Sequence, residues 1–514
     1  MKNFIINIII SFFIWVITFF CIWQMNEDIR KANDDSLRHN KFAYYINEYW
    51  FKENDLNHNW WNIVKYSILE KYNVDLWQGH HLFLSYLLKI WVNIEDLNKY
   101  YITIIIFILS FLTLSLNLSF KNPLIVGLWI IWFLFFFNLL IYNRILLSRP
   151  YLFTIILFLL VLIILYYKRY IWLVIIFLIW SFYHRLFYFL FIPIILYMII
   201  YRLKLKENFK LISYPILWSI IWILIHTKSL IYLYFSAFTI FIVPIVQMKY
   251  WLLASEISAK SWIEIYIIWI IILFLNIYIY LILKNNKNEK SLLEDKWYIF
   301  INILTIIFFF ASTLILRFID FLFVIAIFNL IYLISKIINI ENIKISKKIN
   351  IFWSIIILIF IFIFQIFSIF EINNNLNYNI SDKKKFFNDI TKYIDKWSII
   401  SSNSIYDFYD FYYYLWNDYK YVMSMEYTFI YLHDKKFYHD LIDVTQDYLY
   451  EPKNKENDLY HILKNKDIKY FTIINEKTDY IVNRSLSYKI EQIKKDDRFI
   501  LLYNYKNYFL WKLK

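Results

Sequence analysis

The chain has 514 residues, of which 61% are hydrophobic and 23% aromatic, a composition too apolar for a soluble globular protein. It contains only two glycines, Gly79 and Gly127, which excludes Gly-rich phosphate loops and dinucleotide-binding fingerprints. Its single cysteine, Cys21, excludes a disulfide framework and a cysteine-based metal cluster. The net charge of +14 comes largely from Lys and Arg in short loops beside apolar runs. Anchoring at a membrane surface explains this charge, so it does not indicate nucleic acid as a partner. We therefore expect an integral membrane protein.

The first apolar run, 4–24, holds about 20 apolar residues behind one lysine, which fits a signal peptide or a signal anchor. No small-residue cleavage site follows, so we expect residues 1–24 to be a retained transmembrane helix with a cytoplasmic N-terminus. Residues 25–98 then mix acidic, histidine and tryptophan residues, with a helical stretch that ends near 88. They predict a polar extracytoplasmic loop.

Residues 99–370 predict a multi-helix transmembrane domain. Several of its apolar runs are shorter than the roughly 20 residues that a perpendicular span needs, so some helices are expected to be tilted, broken or re-entrant. If successive helices cross the membrane in alternating directions and the run 229–247 does not cross it, the basic loops all lie on the cytoplasmic side. The sequence thus predicts a mainly α, polytopic bundle of about eleven crossings plus one re-entrant segment. The runs are 101–119, 123–142, 150–167, 171–183, 186–201, 211–226, 229–247, 261–283, 297–316, 320–338 and 351–370.

The rest of the chain changes to a polar, mixed composition. An Asn-rich stretch predicts a linker at 371–380, and residues 381–514 predict a soluble extracytoplasmic α/β domain. Short runs typical of strands occur at 397–400, 469–474, 499–502 and 508–511. A polar segment separates the last two, which favours a hairpin.

Charged side chains near a membrane are costly, so those that persist are candidates for function. In the expected topology they collect on the outer face, where Arg, His and Lys suit a phosphate or pyrophosphate group such as a lipid-linked phosphate. His184 and Arg185 also fit interfacial snorkelling, and the spacing of Arg317 and Asp320 also fits a helix-surface ion pair. The outer-face candidates are Asp34, Asp35, Arg144, Arg149, His184, Arg185, His226, Lys228, Arg317 and Asp320.

The acidic pair Asp34 and Asp35 follows the first helix by ten residues. Adjacent carboxylates can hold a divalent cation such as Mg²⁺ or Mn²⁺, or one can act as the general base for an attacking hydroxyl or amide. The alternative is a solvated helix start, since Asn and Asp are common N-caps and the next residues look helical.

A second cluster is the segment Gln78-Gly79-His80-His81. Two neighbouring histidines point to different faces of a helix, so a shared metal site is disfavoured and a contact with substrate is the better interpretation.

The order of these features resembles the GT-C superfamily of polyprenyl-phosphate-sugar-dependent glycosyltransferases. The stretch Asp34-Asp35-Ser36-Leu37-Arg38-His39, followed by Tyr44-Tyr45-Ile46-Asn47-Glu48-Tyr49, is similar to the first-loop motif of oligosaccharyltransferase-like members. On that resemblance Asp34 or Asp35 is the catalytic or metal-binding acid, and His39, His80 and His81 join the substrate-binding residues.

Shorter segments extend the resemblance along the chain. Ser148-Arg149-Pro150-Tyr151-Leu152-Phe153 looks like an Arg-Pro-x-x-Phe that opens a helix in related bacterial proteins, and 180–184 looks like their Trp-x-x-x-His without the usual glycines. Arg317-Phe318-Ile319-Asp320 is similar to a late Arg-containing segment. The stretch 425–443 resembles a Gly-x-Asp-Pro-Thr-Phe-x-Tyr-x-x-Asp pattern of their C-terminal domains, with the Gly, Asp and Pro replaced.

The resemblance implies an inverting transferase in the cell (inner) membrane that moves a sugar from a polyprenyl-phosphate donor to an outer-face glycan, lipid or protein acceptor. Asp34 or Asp35 would activate the acceptor, Mg²⁺ or Mn²⁺ is optional, and Arg149, Arg185 or Arg317 would stabilise the leaving phosphate. Two alternatives remain: a transporter or flippase for lipid-linked or polar cargo, and a non-catalytic envelope assembly protein.

Overall fold

The computed structural model describes most of the chain in separate stretches. These are residues 2–23, 35–50, 77–90, 92–137, 150–183, 189–225, 262–285, 294–314, 318–341, 346–375, 380–403, 407–415, 418–422, 427–445, 458–474 and 480–514, with isolated positions 145, 231, 234, 237, 238 and 343. The expected re-entrant run 229–247 falls almost entirely outside them.

The protein is mainly helical, and the apolar runs within its described residues are largely helices. The first half contains α1 (Lys2–Trp23), α2 (Asp35–Tyr45), α3 (Gln78–Lys89), α4 (Leu97–Ser119), α5 (Leu124–Ile131), α6 (Tyr151–Tyr166), α7 (Trp172–Tyr183), α8 (Phe191–Tyr201) and α9 (Leu205–Ile225). A π-helical turn follows α2 at Ile46–Trp50, and another follows α5 at Trp132–Phe137.

The second half begins with α10 (Trp262–Asn285), α11 (Lys296–Leu314), α12 (Ile319–Ile340) and α13 (Lys347–Asn375). The C-terminal domain consists of α14 (Ile380–Ile390), β1 (Ile399–Ser402), α15 (Asp407–Tyr414), β2 (Lys420–Tyr421), α16 (Tyr427–His433), α17 (Lys435–Thr445), α18 (Leu459–Lys464), β3 (Ile468–Ile474), α19 (Tyr480–Lys495), β4 (Phe499–Tyr505) and β5 (Tyr508–Leu513). Helix α13 runs five residues into the expected linker 371–380, so the helix does not end where the apolar run ends.

Within the described part of the chain, six helices are long and apolar enough to cross a membrane, namely α1, α4, α10, α11, α12 and α13. Shorter apolar helices lie at α5, α6, α7 and α8. These helices indicate a membrane protein. The count of eleven crossings and the orientation remain predictions.

Helices α1 and α4 pack antiparallel along one side of the bundle. The Asn7 side chain near the start of α1 donates to the carbonyl of Leu114 late in α4 (3.1 Å), while Trp23 at the end of α1 meets Tyr100 at the start of α4 (ring centroids 5.8 Å). A Cβ at Gly127 would lie 2.9 Å from the Leu114 side chain, so this glycine lets α5 approach α4 closely. Small residues allow this kind of contact between membrane helices.

Helix α12 forms the centre of the bundle, and most of its length is buried. Its polar residue Asn329 is fully buried and donates to the Thr305 hydroxyl of α11 (2.9 Å). At its cytoplasm-facing end in the expected topology, Ser335 donates to the carbonyl of Phe120 (3.0 Å). Interhelical hydrogen bonds of this kind satisfy polar groups that lipid cannot.

The described strands of the C-terminal domain form one mixed sheet in the order β2-β1-β3-β5-β4. Strand β1 is parallel to β2 and β3, and β5 is antiparallel to β3 and β4. The predicted hairpin is confirmed, with Tyr505 opposite Tyr508 across a two-residue turn in which Lys506 has a left-handed φ of 54°. The α/β character of this domain is therefore as expected.

Candidate functional site

Several helix ends meet at one end of the bundle. Tyr101 lies in the first turns of α4, Phe153 in the first turn of α6, and Tyr183 is the last residue of α7. The Phe153 and Tyr183 rings stack at 4.3 Å, and the Tyr183 hydroxyl donates to the Tyr101 oxygen at 3.4 Å. The segments α2 and α3 pack over these ends.

Helix α2 is polar in sequence, yet it is buried on almost every side. Ser36, Arg38, His39 and Asn40 are each at most 1% exposed, and Phe42 is fully buried. Burying polar groups is costly unless they are satisfied or used. A buried polar helix directly after the Asp34-Asp35 pair therefore identifies the candidate site.

Two histidines and one arginine form a hydrogen-bonded chain in this position. The Arg38 Nη2 donates to His39 Nε2 (3.1 Å), and His39 Nδ1 lies 2.6 Å from His81 Nε2. Because arginine has no acceptor, His39 Nε2 must accept, so the His39 proton sits on Nδ1 and is donated to His81. The Nε2 of His81 is therefore the acceptor of that bond.

His80 contacts two tyrosines of the apolar helices α4 and α7. Its Nδ1 lies 3.1 Å from the Tyr183 hydroxyl, and its ring meets the edge of Tyr101 (centroids 5.0 Å). The rings of His80 and His81 are 6.0 Å apart, both contact the His39 ring, and their hydrogen bonds go to different partners, Tyr183 and His39. The cluster thus connects the loop segments with α4 and α7.

Two basic side chains of α2 belong to the described part of the site. The Arg38 guanidinium is fully buried and lies 4.4 Å from the centroid of the Trp77 ring, a cation–π contact. Lys41 follows on the same helix 5.2 Å from the Tyr44 ring, and burial lowers the pKa of its ammonium group. A buried guanidinium beside histidines favours an anionic ligand such as phosphate.

The side chain of Asn40 differs from its neighbours. It is fully buried, and neither its amide nitrogen nor its oxygen has a hydrogen-bond partner among the residues that the structure describes. An unsatisfied buried amide destabilises the folded state by about 1–3 kcal/mol. Such a group is explained if it binds something that the protein acquires in use.

The C-terminal domain covers this cluster from the outside. The Phe42 ring stacks between His81 (4.7 Å) and Tyr412 of α15 (5.3 Å). Near the same place, Lys384 of α14 pairs with Glu95, just ahead of α4 (3.2 Å). The first polar segment and the last domain therefore lie at the same end of the bundle.

Helix α15 is itself held by buried polar contacts. Asp410 accepts from Lys383 of α14 at 2.6 Å, with both side chains at most 3% exposed. Asp407 accepts from the Ser402 hydroxyl at the end of β1. These bonds fix the helix that carries Tyr412 against the sheet.

The structure brings together three of the predicted site residues, His39, His80 and His81. Asp320 is buried in the first turn of α12. Asp35 begins α2 as expected of a helix start, and its side chain lies outside the described part of the structure. The other candidates lie outside the described residues, namely Asp34, Arg144, Arg149, His184, Arg185, His226, Lys228 and Arg317.

Sequence reasoning missed four members of the cluster, Arg38, Asn40, Tyr101 and Tyr183. Arg38 and Asn40 flank a predicted residue, and a polar run directly after the acidic pair was the available signal. The two tyrosines look like ordinary residues of a membrane interface. Only the fold brings Tyr183 next to His80, 103 positions away in the chain.

The prediction of a metal ion can be compared with the structure only at the described side chains. Among the described residues, no group of three or more His, Cys, Asp or Glu side chains is arranged to hold a metal ion. His39 and His81 are joined by a direct hydrogen bond between Nδ1 and Nε2, so this arrangement does not present those two nitrogens to a common metal ion. The prediction of Mg²⁺ or Mn²⁺ at Asp34 and Asp35 concerns side chains outside the described part and stays a prediction.

Comparison of the chain with models of known protein families finds no match, and comparison with curated proteins finds no significant match. The resemblance to the GT-C superfamily remains a prediction from the motifs above.

Proposed function

We propose that this protein is a GT-C-like membrane glycosyltransferase that moves a sugar from a polyprenyl-phosphate donor to an acceptor at the outer face of the cell membrane. The observation that carries the proposal is the buried, basic helix α2, whose Arg38 and His39 follow the acidic pair after two intervening residues. Such a transfer needs two groups: a carboxylate that takes the proton of the acceptor, and a cation that stabilises the charge on the leaving phosphate.

The proposed reaction is an inverting displacement. The acceptor oxygen or nitrogen forms a bond to the anomeric carbon while the bond from that carbon to the phosphate oxygen breaks. Asp34 or Asp35 takes the acceptor proton, and the phosphate leaves with the electron pair of the broken bond. Arg38 stabilises the negative charge on that phosphate, together with whichever of Arg149, Arg185 and Arg317 reaches it.

The histidines have a supporting role in this scheme. His39 accepts a hydrogen bond from Arg38 Nη2 and donates one from its Nδ1 to His81, and these two bonds orient the guanidinium beside the ring. His80 connects the same cluster to the tyrosines at the membrane. We propose that the donor phosphate reaches the site along these helix ends while its hydrocarbon chain remains in lipid.

The distribution of basic residues supports placement of the cluster at the outer face. The end of the bundle opposite the cluster carries exposed Lys and Arg in the turns between helices, at Lys121, Lys168, Arg169, Arg202 and Lys204. Such turns are characteristic of the cytoplasmic side. We therefore propose that the cluster and the C-terminal domain are extracytoplasmic.

The test is a transfer assay in membranes with radiolabelled polyprenyl-phosphate sugars. We expect the Asp34→Asn, Asp35→Asn double variant to lose transfer at unchanged protein level, and Lys384→Gln to retain it. A chelator arm decides whether the acids act with Mg²⁺ or Mn²⁺ or without metal. Equal transfer by wild type and double variant would contradict the proposed base, and carriage of the intact donor across the membrane without transfer would indicate a transporter.

A further inference from the structure

An apolar groove of about 510 Å³ lies between α5, α12 and α13, away from the proposed active site. Every residue that lines it is Ile, Val, Trp or Phe. Its walls include Trp129, Trp132, Ile334, Trp353, Ile357 and Phe360. Two of the three helices are long and apolar enough to cross a membrane, so the groove opens into the hydrocarbon region.

The groove is held at both ends by contacts between α5 and α13. At the end near the helix starts, the backbone N–H of Ile125 donates to the Asn350 side-chain oxygen at 3.0 Å. At the other end, the rings of Trp132 and Phe360 approach to 6.1 Å. The space between these contacts is therefore a formed feature of the fold.

The length and lining of the groove indicate what it accepts. From Ile125 to Trp132, or from Trp353 to Phe360, seven residues of helix rise about 10 Å. Over this length the walls offer only apolar side chains. Such walls suit the hydrocarbon chains of a lipid.

Charge at one end of the groove identifies the headgroup. Lys121 is exposed in the turn just before α5, and Lys348 is exposed in the first turn of α13. Both stand at the end where Ile125 and Asn350 join the two helices. Basic residues beside a groove between membrane helices bind anionic headgroups.

We propose that this groove is a binding site for an anionic membrane lipid, with its acyl chains against the tryptophan-rich walls and its phosphate between Lys121 and Lys348. The site does not depend on the proposed transfer reaction. It is a separate lipid contact, at the end of the bundle opposite the histidine cluster.

The experiment measures lipid retained on the purified full chain by native mass spectrometry, after reconstitution in nanodiscs of phosphatidylcholine with and without phosphatidylglycerol. We expect retention of phosphatidylglycerol in preference to phosphatidylcholine. Each of Lys121→Gln and Lys348→Gln is expected to reduce the preference about fivefold, from the usual contribution of one basic residue at a membrane surface. Lys168→Gln is the matched control, since Lys168 is exposed in a turn with the same left-handed φ (55° against 59° for Lys121).

A second pair of variants tests the groove itself. Ile357→Trp fills it and is expected to remove the retained lipid, whereas Ile355→Trp, on the same helix but 52% exposed and outside the groove, leaves it bound. Equal retention of both lipids, or equal effects of Lys168→Gln and Lys121→Gln, would overturn the proposal. So would a dimer that Ile357→Trp dissociates, because a second copy would then occupy the groove.

Discussion

The buried pair of Lys383 and Asp410 allows a quantitative prediction about the C-terminal domain. The two side chains are 3% and 1% exposed, and their charged atoms lie 2.6 Å apart. Lys383→Met removes the cation and leaves a buried carboxylate, which costs about 3–5 kcal/mol in comparable sites. Because Asp410 belongs to α15, which carries Tyr412, we expect this change to loosen the domain where it covers the histidine cluster.

The assay is hydrogen exchange of the buried strand β3 in the detergent-solubilised full chain. A loss of that size raises the equilibrium constant for opening of β3, and with it the exchange rate, roughly a hundredfold to a few thousandfold. The neighbouring lysine supplies the control, since the Lys384 and Glu95 side chains are 56% and 47% exposed and pair at 3.2 Å. An exposed pair contributes about 1 kcal/mol or less, so Lys384→Met changes exchange by less than about fivefold.

A double variant separates charge burial from general damage. Lys383→Met combined with Asp410→Leu replaces both charges by apolar groups and is expected to recover most of the lost protection. The reasoning is refuted if Lys383→Met accelerates exchange no more than Lys384→Met does.

Three further predictions concern other polar groups. The hydrogen bond from Arg498 lowers the pKa of Asp496 below its usual 3.8, although burial has the opposite effect. The ionised Asp496 therefore contributes its full stabilisation above pH 3.8, and this contribution disappears as the pH falls through the lowered pKa. Circular dichroism from pH 5 to pH 2 should show a less steep acid transition for Arg498→Gln. Asn40→Leu should keep or raise the melting temperature while transfer activity falls, and a lower melting temperature would show that the amide is satisfied in the fold. Tyr183→Phe removes the hydroxyl that contacts His80 and should destabilise the protein by about 1 kcal/mol, measured by thermal unfolding, with no change expected if that bond contributes nothing.

The helical part of the fold was predictable because apolar run length reports helices directly. The expected run 101–119 became Leu97–Ser119, and 320–338 became Ile319–Ile340. Shorter runs such as 186–201 were less precise, since Phe191–Tyr201 begins five residues later. Composition marks the apolar stretch, whereas the helix ends depend on neighbours that a single sequence does not specify.

The C-terminal strands were predicted for a different reason. Their short apolar runs and the polar segment before Tyr508 signal a hairpin. The parallel pairing of β1 with β3 was not predictable, because its partners lie about 70 residues apart and depend on the helices packed between them.

The site was predicted only where chemistry is visible in local sequence. His39 and His80-His81 stood out as polar residues in an apolar chain, and the fold places His39 and His81 within 2.6 Å across 42 positions. Tyr101 and Tyr183 did not stand out, because their role arises only when the ends of α4 and α7 come together. Burial of α2 on nearly all sides is likewise a property of the assembled fold.

The measurement that tests the central claim most directly is crosslinking with a photoreactive polyprenyl-phosphate sugar, followed by mass spectrometric mapping of the labelled peptides. The account predicts labels in α2 and α3, around Arg38 and His81, and weaker labelling in Arg38→Gln. Labels confined to the opposite end of the bundle, near Lys121 and Lys348, with Arg38→Gln unaffected, would contradict it.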